Sequence, residues 1–213
     1  MDLVTSDRRE LERIFKLPLP QYFSHGEVNT ILSAATTELR AYVLVNALWK
    51  TGARISELLG MKKGDLDPYN KTIRIRTLKQ GEGRQVYKGA GRKAKGTKKI
   101  RSVERVLVIP DDLIVNMMSW LHAEKNGSEG LIFGFSRTTA FRIVREACYS
   151  AGFRDSRAHP HTFRHSYAVH LLMQGVPITI LKDLLGHSSI SNTLIYLRIT
   201  QPDIRSILAQ VNW

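Results

Sequence analysis

Two stretches of this 213-residue chain carry strand patterning, and the segment between them can form almost no core of its own. TIRIRTL, residues 72–78, alternates β-branched with basic positions, and RVLVIP, residues 105–110, is the second strand candidate. The two pair naturally as a small antiparallel sheet. Residues 79–101 between them hold nine Lys or Arg and five Gly against one acid, Glu82. Such a composition buries too little apolar area to fold by itself, so it reads as a basic extension of the hairpin. From Asp111 onward the periodicity is helical throughout, which makes the expected fold mainly α with one small antiparallel β-sheet.

The helices are bounded by local signals. Ser24 and Glu27 form a capping box ahead of Val28, Ile31 and Leu32 and predict a helix from about residue 25. ELRAYVLVNALWKTG predicts a second, ended by Gly52, and a short third holds Arg54, Glu57, Leu58 and Leu59. Further helices are expected over 111–124, 137–150, 162–174, 177–185 and 190–197, with Gly175 and Pro177 dividing two of them. Residues 1–21 read as a short lead-in containing LPLP, residues 22–200 as one domain with its basic hairpin insertion over 79–103, and residues 201–213 as a docking tail. The tail repeats apolar residues at Ile204, Ile207, Leu208 and Val211, a stripe that asks for a partner surface. No internal repeat is present.

Lys and Arg total 32 against 19 acidic residues, a formal net charge of +13 that predicts a polyanionic partner, nucleic acid before a membrane surface. The basic residues are not confined to one amphipathic helix, and no apolar run is long enough to span a bilayer. The reading is a soluble, cytoplasmic, nucleoid-associated protein. Cys148 is the only cysteine, so no disulfide closes within the chain, and its setting in TTAFRIVREACYSAG marks it as a small buried hydrophobe.

His159, His161, His165 and His170 crowd into twelve positions. The i, i+4 pair His161 and His165 fits a metal-binding helix face, but a zincin motif needs Glu directly after its first His, and Thr162 stands there. A phosphate reading accounts for more of the residues. Arg164 follows His161 by three positions, so on a helix a guanidinium can grip a phosphate oxygen beside an imidazole that holds or moves a proton. Tyr196, nine positions after His187, supplies a phenol. Glu57 reads as helix support rather than as a catalytic carboxylate.

TGARISELLGMKKGDL, followed much later by HTFRHSYAVHLL, LLGHSSIS and NTLIYLRIT, resembles the tyrosine recombinase, or phage integrase, family over roughly residues 20–200. The resemblance implies the recombinase catalytic-domain fold. It matches Arg54 to the first family arginine, His161 and Arg164 to the histidine and second arginine, His187 to the second histidine and Tyr196 to the nucleophile. Phe163 stands where many members have Leu, an apolar exchange. The family's general-acid lysine lies on the turn of the small sheet, and Lys79 is the best match, with Lys88, Lys93, Lys95, Lys98 and Lys99 as rivals in the insertion. The chain reads as a short form without the family's amino-terminal core-binding domain, so DNA contact is expected to rest on Arg84, Lys88, Arg92, Lys93, Lys95, Lys98, Lys99 and Arg101.

The implied reaction is DNA strand cleavage by Tyr196 to a 3′-phosphotyrosyl enzyme, then attack of a free 5′ hydroxyl on that link. Two guanidiniums can neutralise the charged phosphoryl oxygens without a metal, and the covalent link keeps the bond energy, so neither metal, ATP nor organic cofactor is expected. A phenol with an ordinary pKa of about 10 needs a base or a cationic field, and His161 is the candidate acceptor, with His187 on the phosphate or orienting the site. Exchange between two sites implies a homo-oligomer on double-stranded DNA, dimer to tetramer, joined through the tail from Pro202 to Trp213, with accessory DNA-bending proteins as possible partners. The alternatives are a DNA-binding regulator of the same fold without strand exchange, a type IB topoisomerase-like relaxing activity, and a metal hydrolase.

Overall fold

The computed structural model describes residues 20–79, 101–123 and 130–199. Eight α-helices are described: α1 (His25–Ala35), α2 (Leu39–Thr51), α3 (Ile55–Leu59), α4 (Asp111–Ala123), α5 (Arg137–Ser150), α6 (Pro160–Met173), α7 (Ile178–Leu185) and α8 (Ser191–Leu194). The strands are β1 (Leu66–Asp67), β2 (Thr72–Lys79) and β3 (Arg101–Val108), and 3-10 turns cover Lys63–Asp65 and Ile195–Arg198.

Helix α2 is the centre of the molecule. Val43, Leu44, Val45, Ala47, Leu48 and Trp49 are all buried, so the helix is apolar around most of its circumference, as an enclosed helix must be. It packs against α1, α4, α5 and α6. The capping box starts α1 as expected: the Ser24 hydroxyl accepts from the Glu27 N–H at 3.3 Å, and the Glu27 carboxylate accepts from the Ser24 N–H at 2.7 Å. Just before it, the Phe23 N–H donates to Ser166 Oγ at 2.8 Å, and the Ser166 hydroxyl in turn donates to the Thr162 carbonyl at 2.9 Å. That relay fastens the start of the described fold to α6, with the Phe23 ring packed on Phe163 and Phe153. Cys148 lies in the core, and burial pushes its thiol up to about 12, the inert state expected of a packed sulfur.

The sheet is antiparallel in the order β1-β2-β3. Sequence periodicity finds two of its three strands, because a two-residue strand such as β1 is too short to display a period. The second strand candidate, 105–110, is shifted: β3 begins at Arg101 and ends at Val108, in register with β2 through Ile75↔Arg105 and Lys79↔Arg101. Cross-strand bonding extends it over polar residues whose alternation is weak. Two helix boundaries also move. Helix α6 starts at Pro160, which fits a first helical position because its missing N–H would be unpaired there anyway. The last expected helix divides into α8 and the 3-10 turn Ile195–Arg198. Gly186 ends α7 in the left-handed region at φ 67°. Tyr196 closes a second apolar cluster with Ala168, Val169, Leu181 and Leu185. Among the described residues, no helix is long and apolar enough to cross a membrane.

Candidate active site

Arg54 stands just ahead of the helix expected to contain it. It is the residue before α3, with an extended backbone at φ −71° and ψ 149°, and its N–H donates to Glu57 Oε2 at 2.9 Å. Its Nη1 donates to Glu57 Oε1, also at 2.9 Å, while the side chain stays about a third exposed. Glu57 is buried and collects three other contacts from the sheet. Arg105 of β3 donates from Nη2 to Oε2 at 2.8 Å and from Nη1 to Oε1 at 3.3 Å, and the Thr77 hydroxyl of β2 donates to Oε1 at 2.5 Å. Burial alone would raise the Glu57 pKa, but the bonds and charge of Arg105, with those of Thr77 and the Arg54 N–H, hold it down at about 2.

Arg164 is buried in α6. Its Nη1 donates to the Gly52 carbonyl at 2.6 Å, and its Nη2 to the Leu185 carbonyl at 2.7 Å and to His187 Nε2 at 2.9 Å. These bonds hold together the ends of α2, α6 and α7, and burial and the Arg54 charge lower the guanidinium to about 10, still protonated at neutral pH. A guanidinium has no acceptor, so His187 Nε2 must accept, which leaves Nδ1 carrying the proton toward Thr193 Oγ1 at 2.9 Å. Burial, with the charges of Arg164, Arg54 and Arg105, pushes His187 down to about 4 and keeps this neutral tautomer at physiological pH.

The phenol meets a histidine, though a different one from the sequence candidate. Tyr196 is buried, and its hydroxyl lies 2.9 Å from Nδ1 of His165, the residue that sequence pattern offered only as a possible metal ligand. Burial and the nearby cations push His165 down to about 4, so its ring is neutral and one nitrogen has a lone pair to accept a hydrogen bond. Burial raises the Tyr196 pKa, and the charges of Arg164 and Arg54 oppose that rise. His161 is exposed on the first turn of α6, its ring centre 6.3 Å from that of His159.

A cleft of about 280 Å³ opens beside this group, lined by Arg54, Ser56, Glu57, Thr77 and the Gly186–Ser188 turn. Arg54 and His187 therefore face open space, whereas Arg164 and Tyr196 stand behind them. Lys79 ends β2 opposite Arg101, at the edge of the described backbone, and the side chains of both lie outside the described residues. Arg84, Lys88, Arg92, Lys93, Lys95, Lys98, Lys99 and the tail from Pro202 to Trp213 lie outside them as well. Among the described residues, no group of three or more His, Cys, Asp or Glu is placed to hold a metal ion.

Sequence reasoning missed three partners: Arg105, which was only the first residue of a strand candidate, Thr193, and His165 in its contact with the phenol. The one available signal was the position of His165, one residue after Arg164 and one turn after His161.

The phage integrase family model matches residues 21–202. A tyrosine recombinase of Pseudothermotoga lettingae is 29% identical over 189 residues, covering 87% of this chain and 58% of its own length. The chain thus spans little more than half of that relative. The crystal structure of XerA recombinase superposes with a TM-score of 0.71 at 23% identity, over 93% of this chain and 68% of that one. XerH recombinase, in a post-cleavage complex with a palindromic difH substrate, gives a TM-score of 0.66 at 21% identity, over 91% of this chain and 54% of that one. The helical body, its three-stranded sheet and the ordered motifs from Arg54 to Tyr196 all fall inside the matched span, and the chain belongs to the phage integrase family.

Proposed function

We propose that the chain is a site-specific DNA recombinase that breaks and rejoins strands through Tyr196. The observation that carries this reading is the phenol held 2.9 Å from a neutral imidazole, with Arg164 behind it and Arg54 on the neighbouring cleft. A regulator that only binds DNA has no use for a buried phenol on a proton acceptor beside two guanidiniums. Membership in the family and the likeness to a DNA-bound recombinase support the same reading.

The Tyr196 oxygen attacks the phosphorus as its proton passes to a histidine. His165 is the acceptor that the geometry favours, and His161 is the alternative on the exposed side of α6. The phosphorus–oxygen bond to the 5′ side breaks, and the departing 5′ oxygen takes a proton from Lys79. A 3′-phosphotyrosyl ester remains and conserves the bond energy. A 5′ hydroxyl from a second strand then attacks that ester and gives its proton to the now neutral Lys79, the phosphorus–phenol oxygen bond breaks, and the histidine returns its proton to the departing phenoxide. Arg54 and Arg164 neutralise the phosphoryl oxygens; removing one such preorganised donor typically costs on the order of 100 to 1000 fold in rate. His187 holds the Arg164 guanidinium through Nε2. Exchange between two duplexes takes more than one protomer, joined through the residues after Gln201.

The deciding experiment incubates the chain with nicked suicide duplexes carrying candidate sites and looks for a covalent adduct on a denaturing gel. Wild type forms the adduct and Tyr196→Phe forms none. No adduct from wild type on any site, or an equal yield from Tyr196→Phe, removes Tyr196 from its role. Relaxation of a supercoiled plasmid without recombination of paired sites would favour the topoisomerase-like alternative.

A further inference from the structure

Arg105 is a third guanidinium in this region; it lies outside the cleft lined by Arg54 and borders a neighbouring one of about 450 Å³ that it shares with His187. Its side chain is 9% exposed, and it comes from β3 to share the Glu57 carboxylate with Arg54, both donating to Oε1. It holds both Glu57 oxygens and also donates to Thr77 Oγ1 at 3.0 Å. It lies across Gly186 so closely that a Cβ there would stand 2.8 Å from Arg105 Nη1. Its Nε is buried with no hydrogen-bond partner among the described residues. A side chain kept there for packing alone would have no reason to bear a charge, because an unpartnered buried N–H is a cost that an apolar residue avoids.

We propose that Arg105 is a positioning residue for strand cleavage: it occupies the Glu57 carboxylate so that Arg54 stays available to the cleft, and it ties β3 to the turn that carries His187. Glu57 is a buried anion with two guanidiniums to choose from. With Arg105 present, Arg54 gives it one Nη1 bond, and the rest of the Arg54 fork stays on the exposed side. Without Arg105, the carboxylate has one cation left. Bidentate pairing with Arg54 is then the favoured geometry, and it turns the guanidinium away from a phosphate. Gly186 belongs to the same device, since its bare Cα admits the Arg105 fork next to His187.

This inference rests on the proposed cleavage reaction, and its test separates the two. Adduct formation by wild type but not by Tyr196→Phe establishes the reaction first; without it, the cleavage reading itself fails. Given that adduct, single-turnover rates are measured at saturating DNA for Arg105→Gln in the wild-type background and in a Glu57→Gln background. Arg105→Gln is expected to slow cleavage about tenfold or more in the first and less than about twofold in the second, as a double-mutant cycle reads a residue acting through its neighbour. The DNA Kd should stay within about twofold of wild type, since the Arg105 side chain is only 9% exposed and its guanidinium is engaged by Glu57 and Thr77. An equal slowing in both backgrounds, or no slowing in either, overturns the proposal. If Arg105→Gln does not fold, Arg105→Lys, which keeps the charge but loses the fork, takes its place. The expectation is then a smaller loss of the same kind, again confined to the background that retains Glu57.

Discussion

Gly52 joins stability to the site more directly than any other glycine in the described structure. It caps α2 in the left-handed region at φ 58° and ψ 16°, and its carbonyl accepts Arg164 Nη1 at 2.6 Å. Gly52→Ala meets two penalties. The first is the left-handed backbone itself, about 1–2 kcal/mol for a residue with a Cβ. The second is steric. The new Cβ would lie 2.3 Å from Tyr167 Cδ1 and 3.0 Å from its Cγ, at the root of the ring rather than its tip, so the ring cannot simply swing aside. Overpacking of that kind typically costs about 1–3 kcal/mol more. Gly152→Ala supplies the control, because Gly152 has φ 88° and a methyl added there would meet nothing within 4 Å. Gly52→Ala should therefore melt lower than Gly152→Ala by about 2–12 °C, taking about 2–4 °C per kcal/mol for a chain of this size. Thermal denaturation followed by circular dichroism measures the gap. Because the Arg164 anchor moves with the Gly52 carbonyl, adduct formation should also fall about tenfold or more in Gly52→Ala and not in Gly152→Ala. Equal melting temperatures for the two variants would refute the steric reasoning, and a full cleavage rate in Gly52→Ala would refute the link to Arg164.

Two further outcomes follow from the histidines. His165→Gln should slow adduct formation about 100 to 10,000 fold, the usual span for a lost general base, and His161→Gln should slow it less; the reverse order in single-turnover rates would return the acceptor role to His161. His165 and His187 are both pushed by burial to about 4, below their ordinary value of about 6.5 in an unfolded chain, so the folded state favours their neutral forms. Their contribution to stability is complete above about pH 6.5 and is lost as the pH falls toward 4, so the melting temperature should drop between about pH 7 and 5, and a flat or rising profile would contradict these burials.

Much of the architecture is legible in local chemistry. The Ser24–Glu27 capping box and Gly52 mark helix ends that the structure keeps, because each feature satisfies or terminates backbone bonds within a few residues of itself. The motifs carrying Arg54, Arg164, His187 and Tyr196 were likewise visible, and the fold brings the ends of α2, α6 and α7 together around Arg164. Other features had no local trace. β1 is two residues long, and β3 begins four positions before its apolar pattern because β2 pairs with it there.

The sequence by itself determined which residues carry charge, proton and phenol, where most helices begin and end, and that a small sheet interrupts a helical chain. Only the tertiary structure decided which of these groups meet. His161 and His165 are one helical turn apart and equivalent by spacing, yet the packing of the 3-10 turn Ile195–Arg198 against α6 gives the phenol to His165. Arg105 is one basic residue among many on a hairpin until the β2–β3 register and the approach of α3 set it on Glu57, 48 positions away in the chain. The physical reason is common to both. Caps, turns and periodicity are settled by bonds between near neighbours, whereas the pairing of distant side chains depends on how whole elements pack, which no local pattern encodes.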